Sequence, residues 1–220
     1  MGIFPSLILG TFEGIQCYTI SSKYRGESMV LTASTMLSLG TKAPDFYLPE
    51  VGSGEIISLA NFANKKALLV MFICRHCPFV NHIQTELAQL GKDYFNTDLG
   101  IIGISANDAK NYPNDAPESL KEMSTELEFK FPLCYDETQA IAKAYTAACT
   151  PDFFLFDQER RLVYRGELDD SRPSNNKPVT GADLRAAIEA VLADQAITNE
   201  QQPSIGCNIK WKSGNEPNYQ

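Results

Sequence analysis

A chain of 220 residues, 44% apolar and 21% charged, can bury one proper core and still have length for extensions. Its formal charge of −8 argues against nucleic acid and anionic membrane surfaces as main partners. No apolar run approaches the roughly 20 residues that span a bilayer.

The first ten residues are apolar but lack a basic flank, and Glu13 interrupts them soon after, so they make a poor signal peptide. Residues 1–35 are expected to be a poorly ordered N-terminal extension, with Met29 and Met36 close to the first domain-like sequence. The proline-bracketed stretch 42–49 reads as an extended entry segment, and 55–59 as a short edge strand. Residues 67–73 are continuously apolar, as in a central parallel strand covered on both faces. From Pro78 onward Phe79, Val80, Ile83, Leu87 and Leu90 recur at helical spacing, and 100–107 is the next buried strand. The two strands and the helix between them form a βαβ unit, which crosses over right-handed.

A polar loop with Pro113 and Pro117 leads to a helix over 118–127, a short strand or turn at 132–136 and a short helix over 137–145. Residues 152–156 and 162–166 form two strands of a hairpin. Thr180 is expected to cap a last helix with Asp183 as its box partner. The tail, 196–220, is polar and expected to be irregular, although it holds Trp211 and Cys207. The predicted domain is therefore 36–195, an α/β sandwich of three layers with a mixed central sheet and flanking helices.

The chemistry points to Cys74-Arg75-His76-Cys77-Pro78, a C-x-x-C at a strand-to-helix turn. A thiol there faces unpaired backbone N–H groups and the positive end of the helix dipole, both of which favour thiolate. Because proline prefers the first helical position, Pro78 puts Cys77 at the N-cap and marks it as the nucleophile. Cys74 is then its nearest resolving partner. Arg75 and His76 are candidates for stabilising the thiolate by positive charge, and His76 for moving protons near neutral pH. His82, five residues beyond Cys77, is not expected to point at the sulfur.

Six unevenly spaced cysteines are too few for a disulfide-stapled secreted scaffold, so cytoplasm is the expected compartment. Cys17 and Cys134 read as small apolar side chains. Cys149 is either buried in the same way or a further redox thiol, and Cys207 is either packed with the tail or a resolving thiol carried on it.

Ala43-Pro44-Asp45-Phe46, the strand-then-cysteine turn and Thr150-Pro151 before an aromatic strand together resemble the thioredoxin-like superfamily. Within it the chain looks most like the alkyl hydroperoxide reductase/thiol-specific antioxidant branch, in its peroxiredoxin-like members with a C-x-H-C-P turn. The likeness runs from about residue 40 to 210 and includes 168–173 and 204–211. It implies a thioredoxin-like fold and makes Pro151 a cis-proline opposite the active thiol. Thr150-Pro151 would then form a backbone ledge for an extended substrate.

One departure matters. Typical peroxiredoxins carry P-x-x-x-T-x-x-C, whereas counting back from Cys77 gives Cys74 and Val70, and from Cys74 gives Met71 and Ala67. A peroxide-holding pocket is therefore not expected, while thiol–disulfide exchange needs only an acidic thiol, a resolving thiol and access. The predicted function is a thiol–disulfide oxidoreductase or peroxiredoxin-like antioxidant protein without cofactor or resident metal, acting on a disulfide or peroxide. Its reductant would be an external dithiol partner of the thioredoxin or glutaredoxin type. Two alternatives remain: copper or zinc binding through Cys74, His76, Cys77 and His82, and a redox-inactive interaction module.

Overall fold

The computed structural model describes residues 31–197 and 200–219. In chain order the elements are β1 (Leu31–Ala33), β2 (Tyr47–Pro49), β3 (Ile56–Ser58), β4 (Ala67–Phe72), α1 (Pro78–Asp93), β5 (Leu99–Ser105), α2 (Pro117–Glu126), β6 (Leu133–Tyr135), α3 (Ala140–Ala144), β7 (Cys149–Thr150), β8 (Asp152–Phe156), β9 (Leu162–Tyr164), α4 (Ala182–Leu192) and β10 (Ile205–Asn208).

The apolar run at 67–72 becomes the middle strand of a five-stranded sheet ordered β6-β5-β4-β8-β9. Its neighbour β5 is parallel and joined through α1, and β8 on the other side is antiparallel and followed by the β9 hairpin. Strand alternation divides the apolar residues of β4 between two cores. Ala67, Leu69 and Met71 face Val80, Ile83, Leu87 and Leu90 of α1, Leu120 and Met123 of α2, and Leu184, Ala187 and Ile188 of α4. Leu68, Val70 and Phe72 face Phe154, Phe156, Tyr145 and Phe46 on the opposite side, with Ile209 closing that core. Helices on both faces of a mixed sheet give the three expected layers.

Asp152 and Arg165 brace the strand that will matter most. Both are fully buried, and Arg165 Nη2 donates to Asp152 Oδ2 at 3.1 Å while its guanidinium lies 3.6 Å from the centre of the Phe154 ring. The same carboxylate oxygen accepts from the Ala148 N–H at 3.2 Å, which fixes the approach to β7. The Thr150–Pro151 peptide bond that follows is cis.

Three sequence expectations need correction. The N-cap of α4 is Gly181 at φ +66°, not Thr180, and no capping box with Asp183 forms. Instead Asp169 Oδ2 gathers the Thr180 and Gly181 N–H groups at 2.6 and 2.7 Å. The tail is not irregular throughout, because β10 pairs with β7 on one edge and β1 on the other. Residues 31–33, assigned above to the extension, are that second partner. The rest of the extension and Cys17 lie outside the described residues. Among those described, no helix is long and apolar enough to cross a membrane.

Candidate active site

Strand β4 ends at the sheet's C-terminal edge and delivers Cys74 and Cys77 to the start of α1. Cys77 is the N-cap, with extended backbone, and Pro78 is the first helical residue. The missing N–H of proline costs nothing there, because that group has no intrahelical partner. Both cysteines face the cis-proline strand. Cys77 Sγ lies 3.1 Å from the Thr150 carbonyl oxygen, and Cys74 Sγ lies 3.2 Å from Thr150 Oγ1.

The strand β10 completes the cluster. Its register sets Cys207 opposite Thr150 and Asn208 opposite Cys149. Both the thiol and the backbone N–H of Cys207 are within hydrogen-bonding reach of the Cys77 sulfur. Cys149 is buried just behind, its thiol directed at the carbonyl oxygens of Pro151 (3.5 Å) and Ser204 (3.9 Å). Among the described residues, these four cysteines and Cys134 are free thiols.

The four thiols of the cluster are not equivalent. Burial raises the pKa of Cys77, but donors outweigh it: first the Cys207 thiol, then the Cys74 thiol and the N–H groups of Val80 and Cys207. They hold Cys77 well below the ordinary thiol range. The Thr150 carbonyl opposes this, since it accepts from Cys77 only when the thiol is protonated. One acceptor against four donors leaves the ionised form ahead. Cys74 moves the other way, through burial first and then its bond to Cys77 and the charge of Asp115. Cys207 rises because its bond to Cys77 is made as the protonated donor, and because it is buried. Burial also raises Cys149, and pushes Cys134 up to about 12, as suits an inert core thiol.

Asp115 organises the loop between the cysteines, and nothing in the sequence pattern singled it out. It is fully buried in a short turn, Pro113–Asp115, ahead of α2. Its Oδ1 accepts from the backbone N–H groups of Arg75 and His76 at 2.7 and 3.2 Å. Its Oδ2 meets His76 Nδ1 and the Asn107 amide, the latter at 2.8 Å. Burial lowers the His76 pKa, but Asp115 overcomes this and raises it. The ring also stacks on Tyr112, centroids 5.3 Å apart.

Arg75 does not face the sulfur, contrary to the role considered from sequence. Its guanidinium is drawn to α2, where it binds Glu122 at 3.0 Å, Glu126 at 3.1 Å and the Ser119 carbonyl at 2.5 Å. His82 pairs with Ser171 Oγ at 2.8 Å, away from both cysteines. The four ligands weighed for zinc or copper therefore do not converge. Ligand atoms of Cys74, His76 and Asp115 do lie within 4.8 Å of one another. However, the Asp115 carboxylate is already saturated by four donors, so an ion would have to break the loop's own support.

The profile of the AhpC/TSA family matches residues 39–165. The chain belongs to the AhpC/TSA family. A solved structure of a hypothetical protein from Sinorhizobium meliloti is 50% identical, covering 83% of this chain and 100% of that one at a TM-score of 0.82. A Mycobacterium tuberculosis relative that carries a peroxiredoxin name is 26% identical over 117 residues, 53% of this chain and 69% of the relative. Thiol-disulfide oxidoreductase ResA of Bacillus thuringiensis is 22% identical over 167 residues, 73% of this chain and 84% of that protein. The AhpC/TSA assignment and the mixed sheet together give a thioredoxin-like fold, and at a coarse level a thiol-dependent redox protein.

Proposed function

We propose that this AhpC/TSA protein is a thiol–disulfide oxidoreductase in which Cys77 is the nucleophile and Cys74 a resolving thiol. The observation that carries this is the position of Cys77 at the N-cap of α1, with the Cys74 and Cys207 thiols and two backbone N–H groups within reach of its sulfur, which lowers its pKa. Cys77 attacks one sulfur of a disulfide, and the other sulfur leaves as a thiolate. Cys74 then attacks Cys77, releasing the second substrate thiol and leaving a Cys74–Cys77 disulfide. An external dithiol protein returns the pair to the reduced state, since the chain carries no nucleotide or flavin signature. A cytoplasmic setting, where such thiols stay reduced, is part of the proposal.

Disulfide exchange is favoured over peroxide reduction by the residues seven and three positions before Cys77. Val70 is packed in the core on the sheet face away from α1, and Cys74 occupies the place of a hydroxyl. Neither supplies the proline or the threonine hydroxyl of the peroxide-holding motif. Steady-state turnover with a small disulfide is expected to exceed turnover with hydrogen peroxide by about tenfold or more, given a dithiol reductant. Equal or faster peroxide turnover would overturn the preference.

A further inference from the structure

The ledge beside the cis-proline is not open. β10 lies along it, in the antiparallel register an extended substrate would need, and its Cys207 stands opposite Thr150. The approach is so close that only glycine fits next to it. A Cβ on Gly206 would overlap the Thr150 carbonyl oxygen and come within 2.6 Å of the carbonyl carbon and 3.1 Å of the Pro151 nitrogen. Cys77 beneath is 0% exposed. A nucleophile with no exposed surface cannot meet a disulfide until something above it moves.

The strand is paired along both edges, Ile205, Gly206 and Cys207 with Ala33, Thr32 and Leu31 of β1 and Cys207 and Asn208 with β7, and it is anchored again at each end. Before it, Ser204 Oγ donates to the Pro151 carbonyl at 2.7 Å. After it, the Lys210 N–H donates to Asn107 Oδ1 at 2.8 Å, and the Lys210 carbonyl accepts from the Asp108 N–H at 2.8 Å and the Gln139 amide at 3.0 Å. Between these anchors run Ile205 to Asn208, the four residues that cross the nucleophile. Asn107 also binds Asp115, so the far anchor of the strand and the support of the C-x-x-C loop share one side chain.

We propose that β10 is a self-supplied occupant of the substrate groove, and that Cys207 on it is a resolving thiol that competes with Cys74 for oxidised Cys77. The proposal rests on Cys77 being the nucleophile. A disulfide R–S–S–R reaches Cys77 when β10 parts from the two residues of β7 that it pairs with, its other edge still joined to β1. The Cys77 thiolate attacks one sulfur, the S–S bond breaks, and RS⁻ leaves and takes a proton from water. When β10 settles back, the Cys207 proton passes to the second departing RS⁻. The Cys207 sulfur bonds to Cys77 and the Cys77–SR bond breaks. The substrate disulfide is reduced to two RSH, and Cys77 and Cys207 are oxidised to one disulfide. The return of the strand thus expels the product it had admitted.

The test is a disulfide map after brief exposure of the reduced full-length protein to oxidised glutathione, followed by acid quenching. Wild type, Cys74→Ser, Cys207→Ser and the double variant are compared by peptide mass. Cys74→Ser is expected to give a Cys77–Cys207 linked peptide with little glutathione retained on Cys77, while the double variant retains it almost completely. If Cys74→Ser retains as much as the double variant, the role of Cys207 is overturned. If the double variant carries no glutathione on Cys77, the nucleophile assignment itself fails, and this proposal with it. Gly206→Ala tests the occupant separately, because the added methyl unseats the strand. Alkylation of Cys77 is expected to accelerate about tenfold or more in a variant whose circular dichroism is native. An unchanged rate in such a variant would show that β10 does not cover the thiol.

Discussion

Cys77→Ser is expected to reduce disulfide turnover by on the order of a thousandfold or more, in protein that still folds. The hydroxyl is close in size to the thiol, so the buried site is not hollowed out, but at neutral pH it is neither ionised nor a comparable nucleophile. Hydrogen bonds to Cys74 and Cys207 survive only in weaker form, because a neutral oxygen replaces a charged sulfur. Turnover in the presence of the dithiol reductant, beside thermal unfolding of the same preparation, checks both halves. Activity within tenfold of wild type would remove Cys77 from its assigned role.

The second large effect is expected at a residue that does no chemistry. Asp115→Ala leaves the Arg75 and His76 N–H groups and the Asn107 amide without their acceptor, and removes the counter-charge of His76. Each buried donor left unpaired costs about 1–3 kcal/mol, so a loss of about 3 kcal/mol or more is expected. For a chain of this size that lowers Tm by roughly 10 °C. The loss should depend on pH. The folded-state pKa of His76 is raised, so its contribution is complete below the unfolded value of about 6.5 and disappears as pH rises through the folded value. Asp115→Ala should therefore cost more at pH 5.5 than at pH 9. Denaturant unfolding at both pH values would show it, and an equal cost at the two would mean that the His76 pair contributes nothing.

The βαβ core was readable because its signals are local. A continuous apolar run gave β4, residues at helical spacing gave α1, and a proline after the second cysteine placed the cap. The Arg75 assignment failed for a different reason. A cation between two thiols suggests thiolate stabilisation, but Glu122 and Glu126 lie one turn apart on α2 and compete for the guanidinium, a contact 47 residues away in sequence. Asp115 was illegible because a lone acid in a proline-containing loop has no period, and its meaning arises only when the fold brings the Cys74–Cys77 loop over it. β10 was missed because Ile205-Gly206-Cys207-Asn208 is short and interrupted by glycine, which weakens any strand pattern. That glycine was the signal: it marks the close approach to Thr150 that β10 requires.

The fold lowers the pKa of Cys77 while raising those of the thiols around it, and the pH dependence of Cys77 alkylation reads that difference. In Cys74→Ala/Cys207→Ala protein the two thiols that donate to Cys77 are removed, so wild type and this variant should be titrated side by side with iodoacetamide, Cys77 being read by peptide mass. Wild-type Cys77 is expected to keep reacting as thiolate to a pH well below the ordinary thiol value of about 8.5, with the midpoint moving upward in the variant. A wild-type midpoint at or above that of free cysteine would contradict the account.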